Sequence, residues 1–372
     1  MRKNNVNKAR DKKVFVAMSG GVDSSVAALL LKKQGYKIVG FFMRCFNLDG
    51  CAEKDAEDAR RAAEHLGIPF YVFDLEEEYK KEVVDYMIEG YRQGITPNPD
   101  VMCNREIKFG LFLKMTLSMG ADYVATGHYV HLKTIKNPVA YSLYQAKDTN
   151  KDQSYFLWTL TQDQLKYCLF PIGGYLKSEV REIARKAGLH NADKKDSQGI
   201  CFLGKITLSD FLKQHIPEKR GVVLTTAGEK IGEHQGAHFY TIGQRHLGIK
   251  YQASSVRRQI SCIKRDTKPR YVAAKDLESN TVIVAEGNDN PALYKKEADL
   301  INVNFTNPIY NILTHKSIVF VRVRYREPLT KATLWTKNYK LVFAKPVKFV
   351  APGQSAVFYA EDRELIGGGV IT

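Results

Sequence analysis

The chain has 372 residues, enough for two or three domains, and its 44% hydrophobic content is that of folded domains rather than of a disordered chain. Lysine and arginine outnumber acids 56 to 40, a net charge of +16, which favours a polyanionic partner such as nucleic acid. No apolar run reaches membrane-spanning length, and the six cysteines (Cys45, Cys51, Cys103, Cys168, Cys201 and Cys262) contain no CxxC. A membrane span and a zinc ribbon are therefore not expected; with no secretory signal, a reducing cytoplasm is the expected compartment and structural disulfides are not.

Before Val14 the chain carries Arg2, Lys3, Lys8, Arg10, Lys12 and Lys13 against Asp11. Without serines or an amphipathic repeat, this reads as a solvated basic tail rather than an organelle presequence. Val14 to Met18 reads as a buried strand. Ser24 to Gln34 follows as a helix, with Val26, Ala27, Leu30 and Leu31 on one face and Gly35 as its stop. Lys37 to Met43 is a second strand, and Ala52 to Leu66 a helix striped by Ala56, Ala59, Ala63 and Leu66. Pro69 to Leu75 is a third strand, and Glu76 to Tyr91 a helix that ends before Gly94. Arg105 to Met119 and Lys177 to Ala187 are further helices, and Asp122 to Gly127 a further strand. Alternating strands and helices predict an α/β domain built on a parallel, Rossmann-like sheet covered on both faces. Ligands of such sheets bind at the carboxyl ends of the strands, so chemistry is expected in the loops after Met18, Met43 and Thr126.

Beyond about residue 205 the pattern changes to short β-rich runs: Gly221 to Thr225, Gln259 to Lys264, Tyr271 to Ala274 and Thr281 to Ala285, then Ile318 to Arg324, Ala332 to Trp335, Val347 to Val350, Ser355 to Tyr359 and Glu364 to Thr372. Such spacing predicts small barrels. The expected organisation is an α/β catalytic domain over 1–205, a central β-rich domain over 206–290 and a C-terminal β-barrel domain over 291–372, the last boundary falling near Gly287 to Lys296. His234 and His238 lie four apart without a zinc-protease motif; His234-Gln235-Gly236 reads as a turn and His238 to Thr241 as the strand after it.

Ser19-Gly20-Gly21-Val22-Asp23-Ser24-Ser25 stands between the first strand and the first helix. Two glycines alone make only a tight turn. The string SGGxDS behind an apolar strand points to a nucleotide, because glycines let the backbone approach an anion and the helix N–H groups then face phosphate. No Gly-Lys-Ser/Thr follows, so this is not a Walker A loop. It suits gripping a departing pyrophosphate rather than transferring a γ-phosphoryl group. The loop resembles that of the PP-loop ATP pyrophosphatases, which activate a substrate oxygen by adenylation.

Two thiols stand in polar, proline- or glycine-marked loops. Thr96-Pro97-Asn98-Pro99-Asp100-Val101-Met102-Cys103-Asn104 opens a helix, placing Cys103 near a helix N-terminus with Arg105 and Lys108 adding positive charge, an arrangement expected to lower its pKa. Asp100, three residues earlier, faces the same way on that turn and is a candidate acid or base, or a helix cap. Asp196-Ser197-Gln198-Gly199-Ile200-Cys201-Phe202 presents the second thiol, with Gly199 marking unusual backbone just before it. Cys168 and Cys262 read as small buried apolar residues.

Taken together, MSGGVDSS, NPDVMCN, ATGHY, KDQSYFL, DSQGICF and HFYTIGQRHLG resemble the bacterial tRNA-specific 2-thiouridylase family in order and spacing across most of residues 14 to 250. The last third is more loosely similar, through Val323-Arg324-Tyr325-Arg326 and Ala351-Pro352-Gly353-Gln354. The resemblance implies replacement of the C2 oxygen of wobble uridine 34, in tRNAs for Lys, Glu and Gln, by sulfur. ATP, with Mg2+, would adenylate that oxygen; a donor (a sulfur relay protein or a cysteine desulfurase) would load Cys201 as a persulfide. Cys103 would then attack as nucleophile, freeing sulfide and leaving a transient Cys103–Cys201 disulfide; alternatively the persulfide attacks C2 directly. Carried over residue by residue, Ala17, Met18, Ser19, Gly20, Gly21, Val22, Asp23, Ser24, Met43 and Gly127 would hold ATP. Asn98, Pro99 and Asp100 would meet the target base, and His128, Lys151, Asp152, Gln153, Arg324, Tyr325 and Gln354 would contact tRNA. Arg44 to Gly50 departs from the family pattern, so Cys45 and Cys51 receive no role. Two rivals remain open: another PP-loop enzyme, such as a 4-thiouridine synthase or a small-molecule synthetase, and a non-catalytic RNA-binding protein with a relic loop. The paired thiols argue against an amidating synthetase, and the intact loop against a relic.

Overall fold

The computed structural model describes the chain from 11 to 372 except 49, 137–138, 197–198, 205, 249, 252–267, 308–309 and 311–314. The expected strand Gln259 to Lys264 with Cys262, Ser197 and Gln198 of the second thiol loop, and Arg2, Lys3, Lys8 and Arg10 of the basic segment lie outside the described residues.

The α/β portion is a five-stranded parallel sheet, built from β1 (Lys13–Ala17), β2 (Lys37–Arg44), β3 (Phe70–Asp74), β4 (Tyr123–Ala125) and β7 (Cys168–Leu169), in the order β3-β2-β1-β4-β7. Four consecutive buried residues of β1, Val14 to Ala17, are what a strand covered on both faces requires. Helices α1 (Val22–Lys33) and α2 (Cys51–His65) share a core with the sheet through Val26, Ala27, Ala59, Ala62 and Ala63. The next helix, α3, runs as Glu76–Tyr79, a π-helical stretch Lys80–Asp85, and Tyr86–Arg92. Helix α4 runs as Pro99–Met102, a π-helical stretch Cys103–Leu111, and Phe112–Ser118. The sequence places this helix's start at Arg105; it begins six residues earlier because Asn98 caps it, accepting from Val101 N at 3.3 Å, with Pro99 in the first position.

Between β4 and β7 lies an antiparallel hairpin of β5 (Val130–Lys136) and β6 (Val139–Gln145). Helix α5 (Lys177–Lys186) returns across α1, and α6 (Leu208–His215) leads into a five-stranded sheet ordered β10-β9-β8-β12-β11. Its strands are β8 (Gly221–Thr225), β9 (Lys230–His234), β10 (Lys250–Tyr251), β11 (Arg270–Asp276) and β12 (Thr281–Glu286). His238 to Thr241, expected as a strand, instead begins within the 3-10 turn Ala237–Phe239, and His234 ends β9 with its Nδ1 accepting from Gly236 N at 2.9 Å. A closed six-stranded antiparallel barrel completes the chain: β13 (Tyr294–Phe305), β14 (Lys316–Arg322), β15 (Thr330–Trp335), β16 (Lys340–Lys348), β17 (Ser355–Tyr359) and β18 (Leu365–Ile371). No helix among the described residues is long and apolar enough to cross a membrane.

The barrel is bonded into the α/β portion along Asp152 to Trp158. Tyr155 donates to Ser355 O at 3.0 Å, Trp158 Nε1 to Ser355 Oγ at 3.1 Å, and the buried Asp152 pairs with Arg322 at 3.2 Å. A second strap joins the barrel to the segment that opens α4: Thr96 N donates to Pro352 O, and Gln354 Nε2 to Thr96 O, each at 2.8 Å.

Candidate active site

Strand order reverses at β1, with β2 on one side and β4 on the other, so the loops after β1 and β4 diverge and open a crevice. Ser19 to Ser24 fills the first loop and Gly127 the second. A side chain cannot replace Gly127 without moving backbone: a Cβ there would stand 2.7 Å from Ser24 N. Gly20 takes φ +74°, and a Cβ on it would lie 2.3 Å from Asp55 O. The loop is braced by its own hydroxyls. Ser24 Oγ accepts from Ser19 N at 3.1 Å, and Ser24 and Ser25 both donate to Gly21 O. No side chain caps the amino end of α1, which leaves its N–H groups facing the crevice.

A charged network closes over the loop. Lys177 Nζ reaches both Asp23 oxygens at 2.7 and 2.8 Å and Asp196 at 2.8 Å, and Tyr129 donates to Asp23 at 2.8 Å. Asp196 also meets Lys151 at 2.6 Å and Arg181 at 3.1 Å. Burial works against its charge, but Lys151 and Lys177 prevail and hold its carboxyl down to about 2. Lys194 bridges Asp55 and Asp58 at 2.7 and 2.6 Å and donates to Gly20 O at 3.3 Å. Lys177, Lys194 and Asp196 carried no nucleotide role in the sequence reading: the two lysines stand in no motif, and Asp196 reads there only as the start of the second thiol loop.

The nucleotide loop and both thiols share one cavity of about 350 Å³. Ala17, Met18, Ser19, Asp23, Ser24, Met43 and Gly127 line it together with Tyr79, Cys103, Lys108 and Cys201. An adjoining cavity of about 720 Å³ adds Gly21, Val22, Asp100, Asn104, Lys151 and Tyr325. The thiols come from positions 98 apart because an aromatic plug anchors the second one. Phe202, fully buried, packs on Tyr79, Phe46 and Phe211 at ring separations of 5.9, 6.2 and 5.7 Å, in the core that also holds Cys103. Gly199 takes φ +77°, the unusual backbone expected there. Cys201 is exposed as a residue, yet its Sγ turns inward to within 3.3 Å of Tyr79 Oη.

Both thiols rest protonated. Burial pushes Cys103 up to about 12, against the pull of Lys108, and burial likewise raises Cys201. The sequence expectation of a lowered Cys103 pKa is thus overturned: Cys103 sits past the first turn of α4, where the helix terminus no longer reaches it. Arg105 does not help either, because it is half-exposed and paired with Glu106 at 2.7 Å. Among the described residues, Cys45, Cys103, Cys168 and Cys201 are free thiols and form no disulfide. Cys168 is buried with its Sγ on Gln164 O, as a structural cysteine would be. Cys45, given no role from the sequence, lines the thiol cavity.

The remaining expected site residues divide. Asp100 lines the larger cavity, burial raising its carboxyl, whereas Asn98 is the cap of α4 and Pro99 is buried in its first turn. The buried Asn104, which the sequence reading passed over, points Nδ2 at Phe156 O and leaves Oδ1 without a partner in the same cavity. His128 is buried between Phe109 and Phe170, 2.7 Å from Thr126 Oγ1; burial, then Lys108, depresses its pKa so that the ring stays neutral. Lys151 and Tyr325 face the larger cavity. Gln153 lines it too but accepts from Tyr129 N at 2.9 Å. Asp152 and Gln354, expected on tRNA, are committed inside the protein to Arg322 and Thr96, and Arg324 stacks on Phe349.

Three family descriptions match in succession: tRNA methyl transferase HUP domain over residues 12–205, tRNA methyl transferase PRC-barrel domain over 209–286, and aminomethyltransferase beta-barrel domain over 294–371. Proteins named tRNA-specific 2-thiouridylase MnmA are 44% identical: in Streptococcus pyogenes serotype M2 over 96% of this chain and 95% of that protein, and in Listeria welshimeri serovar 6b over 97% and 95%. The chain belongs to the tRNA-specific 2-thiouridylase family. One from Listeria monocytogenes serotype 4b matches equally, at 44% over 97% of this chain and 95% of its own. Among solved structures, an NMN synthetase from Francisella tularensis is 17% identical with a TM-score of 0.36, covering 56% of this chain and 75% of that one, a likeness too small to bear on the family's fold.

Proposed function

We propose that the chain is a cytoplasmic tRNA-uridine 2-sulfurtransferase that uses ATP to activate the C2 oxygen of wobble uridine 34 in tRNAs for Lys, Glu and Gln and replaces it with sulfur. The supporting observation is the cavity whose lining holds Ser19, Asp23 and Ser24 of the phosphate loop, Gly127 and both Cys103 and Cys201. An amidating synthetase has no use for that second half.

In this reading the uncapped amino end of α1 and the backbone around Gly21 receive the phosphates, and Met43 and Gly127 flank the nucleoside. Uridine O2 attacks the α-phosphorus and pyrophosphate leaves. Sulfur then attacks C2, and AMP carries the oxygen away. The sulfur arrives from a donor protein as a persulfide on Cys201. Either Cys103 thiolate attacks the Cys201 sulfur, forming the disulfide and freeing hydrosulfide, or the terminal sulfur attacks C2 and Cys103 then displaces the thiolated base with the same disulfide left behind. Magnesium, when bound, supplies charge neutralisation on the triphosphate. Asp23, at the mouth of the loop, is held by Lys177 and Tyr129.

Asp100 and the unpaired Asn104 Oδ1 offer hydrogen bonds to the pyrimidine edge, with Asn98 and Pro99 fixing the turn that presents Asp100. Lys151, Tyr325 and Arg326, at the wider cavity, suit a backbone phosphate and a stacked base, and the barrel surface a tRNA arm. The test is nucleoside mass spectrometry of unmodified tRNA after incubation with protein, ATP, magnesium and a persulfide donor. 2-Thiouridine at the wobble position is the expected product; 4-thiouridine, or no ATP requirement, overturns the assignment.

A further inference from the structure

Lys108 lines both cavities, yet among the described residues its ammonium makes no hydrogen bond or ion pair. Lys108 is the lysine in the lining of the cavity that holds both thiols, whereas Lys151, Lys177 and Lys194 are tied down around the phosphate loop: Lys151 to Asp196, Lys177 to Asp23 and Asp196, Lys194 to Asp55 and Asp58. A half-buried ammonium without a counter-ion is costly, and folds seldom keep one without using its charge. Its neighbours are three thiols that rest protonated, Cys103, Cys201 and Cys45, and the Asp100 carboxyl, which burial raises.

The backbone explains why Lys108 faces Cys103. The two residues are five apart, and on an α-helix they would point about 140° away from each other. Both lie instead within the π-helical stretch Cys103–Leu111, whose i to i+5 bonding brings residues five apart to one side. Asp100, three residues before Cys103 on the preceding α-helical turn, joins the same side.

We infer that Lys108 is the counter-cation of sulfur transfer: it holds negative charge on Cys103 and on the sulfur carried by Cys201, and the π-helical winding of α4 exists in part to aim it there. The inference rests on the sulfur-transfer reading of those two cysteines. In that reading a thiolate attacks and either hydrosulfide or a thiolated base departs, so one unit of negative charge is present throughout. Lys108 keeps it from being paid for afresh at each step. Tyr79, buried with its hydroxyl on Cys201 and kept protonated by burial and the neighbouring thiols, supplies the hydrogen bond on the opposite side. The other titratable groups facing the ammonium are Cys45 on the β2 loop and His128 beyond β4, the latter held neutral.

The experiment measures alkylation of each cysteine by iodoacetamide against pH in the full-length protein, with peptide mass spectrometry to assign sites. Wild type, Lys108→Met and Lys108→Arg are compared, and ATP binding is measured in parallel. In Lys108→Met the Cys103 and Cys201 profiles should move up by about one pH unit, an approximately tenfold slower reaction at a fixed pH below the midpoint. Lys108→Arg should restore most of the shift, and ATP affinity should stay unchanged. Unchanged profiles in Lys108→Met overturn the inference. So does a shift that arginine does not restore or that comes with lost ATP binding, since either marks a structural role. The sulfur-transfer reading fails separately, if Cys103→Ser or Cys201→Ser still forms 2-thiouridine.

Discussion

The two halves of the cavity handle charge in opposite ways. Around the phosphate loop, Asp23, Lys177, Asp196, Lys151 and Arg181 form a closed network. At the thiol end, two protonated sulfurs, a buried carboxyl and a neutral histidine surround one unpaired ammonium. The phosphate end is rigid before its ligand arrives, because paired charges hold the loop in shape. The thiol end stores a positive charge and waits for a negative one. In the proposed reaction the site grips one anion and creates another, and both arrangements serve it.

The contrast can be broken hardest at the thiol end. Cys201→Ser should abolish 2-thiouridine formation while leaving ATP binding intact; wild-type turnover in this variant removes the persulfide from the mechanism. Gly127→Ala strikes the other end. Its Cβ would stand 2.7 Å from Ser24 N and 2.8 Å from the Asp23 carbonyl carbon, and overpacking of about 1–3 kcal/mol should weaken ATP binding by calorimetry without changing cysteine alkylation. Asp152→Ala leaves Arg322 unpaired between the α/β portion and the barrel, and should cost about 3 kcal/mol in urea unfolding.

Tyr79→Phe should slow single-turnover thiolation by about tenfold, the value of one hydrogen bond to a charged sulfur; an unchanged rate would show that the hydroxyl only fills space. The smallest effect is in acid. The folded Asp196 carboxyl is depressed from 3.8 to about 2, so its stabilisation is complete above pH 3.8 and disappears as pH falls towards 2. Asp196→Asn should therefore lower the thermal midpoint slightly at neutral pH and make no difference near pH 2.

Most of the α/β half was legible because its elements are driven by local apolar periodicity. Lys37 to Met43 and Glu76 to Tyr91 were each within a residue of their observed ends at β2 and α3. In the barrel, β14, β15, β17 and β18 coincide with runs legible in the sequence, Ser355 to Tyr359 to the residue, whereas β13 and most of β16 were missed. β13 opens with Lys295, Lys296 and Glu297 facing solvent, and β16 contains Pro346, so neither has the composition of a strand; closure of the barrel supplies what composition lacks. At the site, strings of glycine, proline and cysteine could be read directly. Lys108 was legible as positive charge near Cys103, but not the π-helical winding that turns it towards the thiols, and Tyr79 and Cys45 carry no sequence signal at all. The thiol pKa went wrong for a related reason: proximity to a helix start is visible in sequence, whereas burial is not.

The strap from Pro352 and Gln354 to Thr96 has a consequence for ancestry. A Cβ on Gly353 would stand 2.8 Å from Thr96 backbone atoms, so the barrel's loop and the turn that presents Asp100 fit each other at atomic range. The C-terminal third is thus no detachable cargo that could be exchanged for another RNA-binding module. A chimaera with a foreign barrel would have to reproduce this join, and genes of this kind should be inherited whole rather than reassembled from parts.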